Sequence, residues 1–207
     1  MRMSGLLALI ALAGCDRVFG LPAFSRDAPA AFDVPTFDGD GPHSPGDARP
    51  DSTIADAPNG VLLIEAEQYA AEVQGPNGHD WREVNDSTAS GGIFLQVQTD
   101  NQISCLDYMV LATCATVVTY NVSIATAGVY YVQVRMFATS AGDQSIWYGV
   151  EGVPNNVPVT QPNFGTWSWV VGNGFNLSAG VHSLSLWQRQ TGARADMLAL
   201  TVTASPL

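Results

Sequence analysis

The stretch AGVYYVQVRMFA, residues 127–138, is the clearest indication of how this chain folds. It begins at a predicted turn with Gly128, after which inward-facing and outward-facing side chains alternate with a period of two residues. One face of such a strand carries Tyr130, Val132, Val134 and Met136; the other carries Tyr131, Gln133, Arg135 and Phe137. Successive side chains of a strand point to opposite sides. The stretch therefore predicts a strand with one apolar face toward a core and one outer face of mixed polar and aromatic character.

Residues 61–207 contain further runs of the same kind, separated by Gly, Asn, Pro or Ser. They are Val61–Glu67, Ile93–Val97, Val117–Ile124, Ser145–Val150, Trp167–Val171, His182–Trp187 and Met197–Val202. The chain offers no convincing amphipathic helix between them. Roughly eight short strands at this spacing predict an all-β domain, an antiparallel β-sandwich.

The charge balance excludes one class of partner. Among 207 residues there are 19 acidic and eight basic ones, a net charge of −11, and every basic residue is arginine. A chain this acidic is not expected to bind nucleic acid.

The sequence has three cysteines, one in the N-terminal region and two in the later part of the chain. Cys105 and Cys114 form an even pair outside the N-terminal region, and in an oxidising compartment a disulfide between them is expected. Neither Cys-x-x-Cys spacing nor a nearby histidine indicates a redox or metal site.

The remaining cysteine, Cys15, ends a pattern typical of an export signal. Met1-Arg2 is a positive start, an apolar run spans 6–12, and Leu12-Ala13-Gly14-Cys15 reads as a lipobox. The run is too short to span a bilayer, so residues 1–14 are predicted to be the signal peptide of a bacterial lipoprotein with lipid on Cys15. We therefore expect a membrane-anchored protein outside the cytoplasm, on the periplasmic face or the cell surface.

Residues 15–60 form a separate compositional block. Pro, Asp, Ala and Gly dominate it, and no periodicity of 2 or 3.6 persists. This predicts a disordered, acidic tether between the lipid and the domain at 61–207.

Several short segments of that domain, taken in order, resemble a known family. They are Ile64–Glu67, Ala89–Gly92, Ala127–Arg135, Trp167–Trp169, Leu177–Leu184, Gln188–Gly192 and Asp196–Leu200. Together they are similar to carbohydrate-binding modules of the family 6 and family 35 type. The resemblance covers nearly all of 61–207 and implies the galactose-binding-like jelly-roll fold.

The resemblance also implies a structural calcium ion, and three acidic residues support it. Glu65 and Glu67 stand at i and i+2 of a strand, so both carboxylates lie on one face. Two carboxylates that close repel unless a cation or protons neutralise them. Asp196, which matches the family's aspartate at the start of the last strand, would add a third carboxylate. Calcium prefers oxygen ligands of this kind. Solvated edge positions for Glu65 and Glu67 are the alternative.

Sugar binding needs exposed aromatic rings beside polar groups, and modules of this family use loops at one end of the sandwich or a sheet face. If the loops bind the sugar, Trp81 and Trp167 are the candidate platforms. Arg194 would then also contact the sugar, because it stands where family 6 modules often present Asn. The sheet-face alternative names Tyr131, Arg135 and Trp187 as outward-facing. Trp169 is expected in the core. Asp143 either caps its turn or touches a ligand.

The sequence argues against catalysis. It has no Gly-x-Ser-x-Gly elbow, no phosphate loop and no dinucleotide fingerprint. His182 is expected to be structural, and nothing near His79 in the sequence completes a triad. Two functions remain: non-catalytic binding of a polysaccharide or cell-wall glycan, and a structural or adhesive role with a protein partner.

Overall fold

The computed structural model describes residues 54–55, 60–76, 78–98 and 103–207. The predicted signal peptide (1–14), the predicted lipidated Cys15 and most of the predicted tether lie outside the described residues. Within the described part of the chain no helix is long and apolar enough to cross a membrane.

Thirteen strands account for most of the described chain. They are β1 (Ile54–Ala55), β2 (Val61–Glu65), β3 (Ala71–Val73), β4 (Trp81–Asn85), β5 (Ile93–Val97), β6 (Val117–Ile124), β7 (Gly128–Phe137), β8 (Ser145–Val150), β9 (Val153–Pro154), β10 (Val159–Thr160), β11 (Ser168–Leu177), β12 (Gly180–Trp187) and β13 (Arg194–Thr201). Two short 3-10 helices, Ser90–Gly92 and Tyr108–Thr113, complete the elements. All eight predicted strands are present: β5, β6 and β8 have the predicted limits, and the other five are shifted.

The strands form two sheets that pack as a sandwich. A seven-stranded sheet runs β1-β6-β12-β8-β10, with β3 on β6 and β9 on β8. A six-stranded sheet runs β11-β7-β13-β5-β4, with β2 on β13. Every pairing is antiparallel except β1 with β6. The predicted all-β, antiparallel sandwich is confirmed.

Strand β7 lies inside the six-stranded sheet, and its predicted alternation is confirmed. Tyr130, Val132, Val134 and Met136 are all 2% exposed or less and belong to the main core. Phe137, Arg135 and Tyr131 lie on the opposite, outer face of this sheet. Burying four large apolar side chains, each contributing roughly 1.5–3 kcal/mol, strongly favours this register, because a one-residue slip would expose them all.

The first and last long strands of the sandwich are neighbours. β2 pairs with β13 so that Glu65 lies opposite Met197 and Ile64 opposite Leu198. This pairing brings the beginning of the predicted domain to its end, as a shared acidic site would require.

Strand β1 differs from the prediction for the tether. Ile54 and Ala55 pair in parallel with Val122 and Ser123 of β6. Sheet pairing therefore extends into the stretch predicted to be disordered. No local alternation marks this two-residue strand, and only the open edge of β6 provides its partner.

The predicted disulfide joins Cys105 and Cys114, with an S–S distance of 2.01 Å. The loop that it closes covers the outer face of the seven-stranded sheet at one end. Cys105, Leu111 and Ala115 form a second, smaller core there with Trp147 and Trp187.

Candidate functional site

The three acidic residues predicted to bind calcium surround one turn, the 3-10 helix Ser90–Gly92. The Ser90 hydroxyl donates to Oε1 of Glu65 at 2.7 Å, and the Ser90 backbone N–H donates to Oδ1 of Asp196 at 2.8 Å. A Cβ atom at Gly91 would lie 3.7 Å from Oε1 of Glu67. Gly91 has a φ of 62°, a conformation that favours glycine, so the turn brings its backbone close to the acidic side chains. We call Glu65, Glu67 and Asp196 the carboxylate cluster.

Burial raises the pKa of two members of the carboxylate cluster. Burial raises the pKa of Glu67, and the nearby charges of Glu65, Glu83 and Asp196 raise it further, against the effect of a backbone hydrogen bond. Burial likewise raises the pKa of Asp196, although Arg135 and the Ser90 N–H act to lower it. Two of the three carboxyl groups are thus held where ionisation is unfavourable, and a cation would relieve this.

The carboxylate oxygens of the cluster are the kind of ligand that calcium prefers, but they are not arranged around a common point as a complete calcium site would require. Oε2 of Glu65 is buried and has no hydrogen-bond partner, so an acceptor oxygen is left for a cation. One oxygen of Asp196 pairs with Nη1 of Arg135. Across the described ranges no group of three or more His, Cys, Asp or Glu side chains is arranged so that it could hold a metal ion.

Trp81 does not provide a binding platform. It is 3% exposed and belongs to the main core. In β4 it lies opposite Val97 of β5, another core residue, so its ring points inward. Its backbone N–H donates to Oε1 of Glu72 at 2.7 Å. The prediction of a loop platform at Trp81 is wrong because this residue starts a paired strand.

Trp187 is directed outward from its sheet as predicted, yet it is only 8% exposed. It lies opposite Trp147 on β8, and the disulfide-closed loop covers both rings. The Trp147 indole N–H donates to the Cys105 carbonyl at 2.7 Å. The prediction of Trp187 as a sheet-face platform is wrong because alternation identifies a face but not what covers it.

Trp167 lies half-buried on the outer face of the six-stranded sheet. The Trp167 ring centroid is 5.4 Å from that of Phe94 and 5.3 Å from that of Phe137. The guanidinium carbon of Arg135 lies 5.5 Å from the Trp167 ring centroid. Its indole N–H donates to the Thr88 hydroxyl at 3.0 Å. Trp167 is thus held in place by neighbours that were not predicted to contact it.

Two further aromatic residues share this outer face. Trp169 lies opposite Arg135 in the register of β11 and β7, so its predicted place in the core is wrong. Tyr131 is half-buried and faces outward as predicted, opposite Gly174 of β11 and Thr201 of β13.

Arg194, the first residue of β13, lines a pocket of about 440 Å³. The pocket lies between the loop after β7, the loop before β13, Gln96 of β5 and Ser104. Its described lining is Gln96, Ser104, Thr139, Ser140, Gly142, Asp143, Thr191, Gly192 and Arg194. None of these is aromatic, and every side chain present carries a hydrogen-bonding group. We call this the polar pocket.

Asp143 in the polar pocket is the cap of its own turn. Its carboxylate accepts hydrogen bonds from the Thr139 backbone and hydroxyl and from the Ser140 backbone, at 2.7–3.1 Å. Burial alone would raise the pKa of Asp143, but these hydrogen bonds together lower it. Of the two predicted roles, the turn cap is the one observed.

The sequence indicated only Arg194 and Asp143 among the pocket residues. The others come from four separated segments and are serines, threonines, glycines and glutamine, which are common in any loop. No spacing rule unites them, because only the packing of the two sheets brings these loops together.

Each described histidine contacts a neighbouring side chain through Nδ1, and Nε2 of His79 is buried without a partner. His79 is 1% exposed, and its Nδ1 lies 2.6 Å from Nε2 of Gln188. His182 has Nδ1 2.8 Å from Oε1 of Glu151 and Nε2 2.9 Å from the Ser178 carbonyl. Both ring nitrogens of His182 therefore face acceptors, which suits the protonated imidazolium and a structural role.

His182 should make the stability of the β11–β12 hairpin depend on pH. The Ser178 carbonyl, and then Glu151, raise the pKa of His182 above its ordinary value of about 6.5. The contribution is therefore fully present below about pH 6.5 and is lost as pH rises through the folded-state pKa. Because both partners are partly exposed, we expect about 0.5 kcal/mol. Urea unfolding of wild type and His182→Asn should differ more at pH 5.5 than at pH 9; a difference independent of pH would contradict this role.

Comparisons with known proteins agree with the fold. No protein-family model matches the sequence, and no curated protein matches it. A solved β-(1,4)-mannanase from Podospora anserina, described as GH26-CBM35, matches 71% of this chain at 18% identity with a TM-score of 0.51. The match covers 28% of the mannanase chain, so this chain spans less than a third of that enzyme.

Two isolated modules match over nearly their whole length. The C-terminal CBM6 of a marine laminarinase from Zobellia galactanivorans matches 68% of this chain and 98% of its own, at 20% identity and a TM-score of 0.48. A family 35 carbohydrate-binding module from Clostridium thermocellum matches 69% of this chain and 98% of its own, at 15% identity and a TM-score of 0.49. With the strand order described above, the mannanase match supports the predicted jelly-roll sandwich.

Proposed function

We propose that this protein binds a carbohydrate without transforming it, and that the polar pocket is its binding site. The observation that carries the proposal is the convergence of several hydrogen-bonding side chains and one guanidinium on a single concave site of this sandwich. Sugars present many hydroxyls, and a site that binds them must supply donors and acceptors at matching positions. The jelly-roll fold, shared with part of a protein whose name includes CBM35, supports the same reading.

The binding mode differs from the one expected from the sequence. Trp81 and Trp187 are buried, and Trp167 is packed between Phe94 and Phe137. The pocket therefore holds its ligand through hydrogen bonds and charge rather than through a stacked indole. Water competes strongly for such contacts, so we expect modest affinity for a single sugar unit.

Binding is tested with the soluble mature chain on a glycan microarray and by calorimetry with any glycan that binds. The double variant Gln96→Ala/Ser104→Ala removes two pocket groups and should weaken binding about tenfold, since each hydrogen bond contributes about 0.5–1.5 kcal/mol. Ser183→Ala, on the outer face of the other sheet, is the matched control and should bind normally. If the pocket variant binds as tightly as wild type, the site lies elsewhere.

We also propose that the carboxylate cluster holds a structural calcium ion. Glu65 and Glu67 would supply oxygens, and Asp196 would join them while Arg135 retains its other oxygen. Bound there, calcium would neutralise the cluster and fasten β2 and β13 to the Ser90–Gly92 turn. The buried, unpartnered oxygen of Glu65 and the raised pKa of Glu67 support this.

Display on a membrane through lipidated Cys15 remains part of the proposal, on the sequence pattern alone. The signal, the lipid and the tether would place a glycan-binding module outside the cytoplasm of a bacterium.

Adhesion to a protein partner is the second candidate function, and the disulfide-closed loop favours it. Leu106, Met109 and Val110 on this loop are 58%, 77% and 47% exposed. Apolar side chains clustered on a surface are typical of interaction sites. An array without bound glycans in the presence of calcium would favour this candidate over the first.

A further inference from the structure

His79 lies in the loop between β3 and β4 and is 1% exposed. Its Nδ1 lies 2.6 Å from Nε2 of Gln188, while its own Nε2 is buried without a hydrogen-bond partner. Among the described residues, the amide of Gln188 is therefore the one side chain to which the imidazole is hydrogen-bonded. The way in which this amide is held decides which form of the histidine fits.

The amide of Gln188 has one orientation that satisfies its neighbours. Its Nε2 also lies 2.7 Å from the Ile103 carbonyl oxygen, which can only accept a hydrogen bond. The amide nitrogen must therefore stand at this position, and its second hydrogen serves Nδ1 of His79. Nδ1 accepts and carries no hydrogen itself, so the neutral ring has its hydrogen on Nε2. The arrangement thus fits the uncharged form of His79 in a single tautomer.

Gln188 connects His79 to the wall of the polar pocket. The Ile103 carbonyl that Gln188 binds also accepts a hydrogen bond from the Thr191 hydroxyl at 3.3 Å, and Thr191 lines the pocket. Ser104, the residue after Ile103, lines the pocket as well. The hydrogen bond from Gln188 to Ile103 therefore fixes the backbone that presents Ser104 to the pocket.

The loop that carries His79 packs closely against the segment 114–116. A Cβ atom at Gly75 would lie only 3.0 Å from the Cys114 carbonyl oxygen and 3.1 Å from the Thr116 nitrogen. Within the loop, the Gly75 backbone N–H donates to the His79 carbonyl at 3.0 Å. The loop cannot move closer to this segment, so little displacement is open to His79 while the structure stays closed.

A second proton on His79 does not fit the closed structure. Nδ1–H would face the N–H of Gln188, and two donors cannot form a hydrogen bond with each other. The charged ring would also be buried with no acceptor at Nε2, and an unpaired buried charge is strongly unfavourable. Arg189, the residue after Gln188, is itself positive and supplies no counter-charge.

The acidic groups around this loop are engaged elsewhere. Oε1 of Glu72, on β3, accepts from the Trp81 backbone N–H at 2.7 Å. The carboxylate of Asp80 pairs with Nε of Arg82 at 3.1 Å. The segments 103–105 and 114–116 contain no charged side chain. Within the described part of the chain no carboxylate forms an ion pair with His79, so none stabilises its protonated form.

We propose that His79 makes the polar pocket sensitive to acid: the neutral ring holds Gln188 against Ile103, and protonation releases this wall and weakens glycan binding. The proposal rests on the proposed carbohydrate-binding function and adds regulation to it. Histidine is the side chain whose charge ordinarily changes between about pH 5 and 8. Asp143, the carboxylate that lines the pocket, stays ionised over this range because its hydrogen bonds lower its pKa. His79 is a positioning residue, since it acts on the pocket through Gln188.

Backbone hydrogen exchange tests the opening without a glycan. The Cys105 N–H donates to the Arg189 carbonyl at 2.8 Å, next to Ser104, and its exchange rate reports on this wall. Wild type is compared with His79→Asn at equal pH, because the asparagine Oδ1 can accept where Nδ1 does and does not titrate. The rates should agree at pH 7.5. At pH 5 wild type should exchange about fivefold faster, as expected for the loss of one hydrogen bond.

Calorimetry with laminarin and with galactomannan, in calcium, tests the effect on binding. Wild type should bind about fivefold more weakly at pH 5 than at pH 7.5, which corresponds to about one hydrogen bond at Ser104. His79→Asn should keep its affinity at both pH values. Gln188→Ala removes the donor that holds Ile103 and should bind weakly at both.

Two controls separate this effect from other acid effects. His182→Asn removes the other described histidine and should retain the acid loss of binding. The carboxylate cluster titrates alike in wild type and in His79→Asn, so its contribution cancels in the comparison. Thermal unfolding shows which variants are folded. If His79→Asn is unfolded, Gln188→Ala decides, because a pocket wall that is already released should respond no further to acid.

The outcomes distinguish this inference from the proposed function. Exchange or affinity that responds to acid equally in wild type and in His79→Asn would overturn the role of His79 and leave glycan binding at pH 7.5 intact. An acid response that persists in Gln188→Ala would overturn it as well. If neither polysaccharide nor any glycan on the array binds at pH 7.5, the proposed function fails, and its regulation fails with it.

Discussion

Replacing Trp81 by alanine should lower the free energy of unfolding by about 3–5 kcal/mol, the usual cost of truncating a large aromatic side chain in a core. The indole is 3% exposed and packs in the main core with Val97 and Leu95. Urea denaturation measures the change. Any protein that remains folded should bind glycans with wild-type affinity, because Trp81 does not line the polar pocket.

Two other variants make the Trp81 result specific. The Trp81 indole N–H is buried without a hydrogen-bond partner, so Trp81→Phe removes an unsatisfied donor together with some volume. We expect it to cost less than Trp81→Ala, because it leaves a smaller cavity and removes the unsatisfied donor. Trp169→Ala, on the outer face, should cost less than Trp81→Ala. Wild-type stability combined with lost glycan binding in Trp81→Ala would show that the ring acts at the surface.

Calcium should stabilise the protein by about 2.7 kcal/mol when its concentration is about 100 times the dissociation constant, by mass action on the folded state alone. Thermal unfolding with calcium and with EGTA measures the difference, and calorimetry gives the dissociation constant. Identical unfolding in both conditions would contradict the calcium proposal and leave the fold unaffected.

Glu67→Gln should have opposite effects in the two conditions. In EGTA, burial and the nearby carboxylates disfavour the Glu67 charge, so removing that charge should leave stability unchanged or increase it. In calcium the same change removes a ligand and should abolish most of the stabilisation. Glu83→Gln is the matched control: Glu83 acts on Glu67 through charge, but it is not in the carboxylate cluster, and its loss should not remove the calcium effect.

Local patterns were enough to predict much of the framework. The alternation in 127–138 depends only on the two-residue period of a strand, and four inward residues of β7 are buried as it requires. The disulfide between Cys105 and Cys114 was predicted because these are the only two cysteines besides Cys15, and the structure contains it. The resemblance in segment order indicated that Glu65 and Asp196 would meet, and β2 pairs with β13.

The same reasoning failed for the tryptophans, and the failures share a cause. Periodicity says on which side of a strand a residue lies, but exposure depends on what else in the chain covers that side. Trp187 is on the predicted face and is buried by a disulfide loop that begins more than 80 residues earlier at Cys105. Trp167 is held by Phe94 and Phe137, which belong to two other strands.

The amino-acid sequence by itself determined eight of the thirteen strands, the inward face of β7, the disulfide and the three acidic residues of the carboxylate cluster, because each follows from short-range periodicity, residue chemistry or ordered motifs. Only the tertiary structure decided which aromatic rings are covered, that Asp143 is occupied by its own turn, and that Arg194 lies in a polar pocket. These depend on loops from distant parts of the chain meeting at one edge of the sandwich, and no local pattern encodes that meeting.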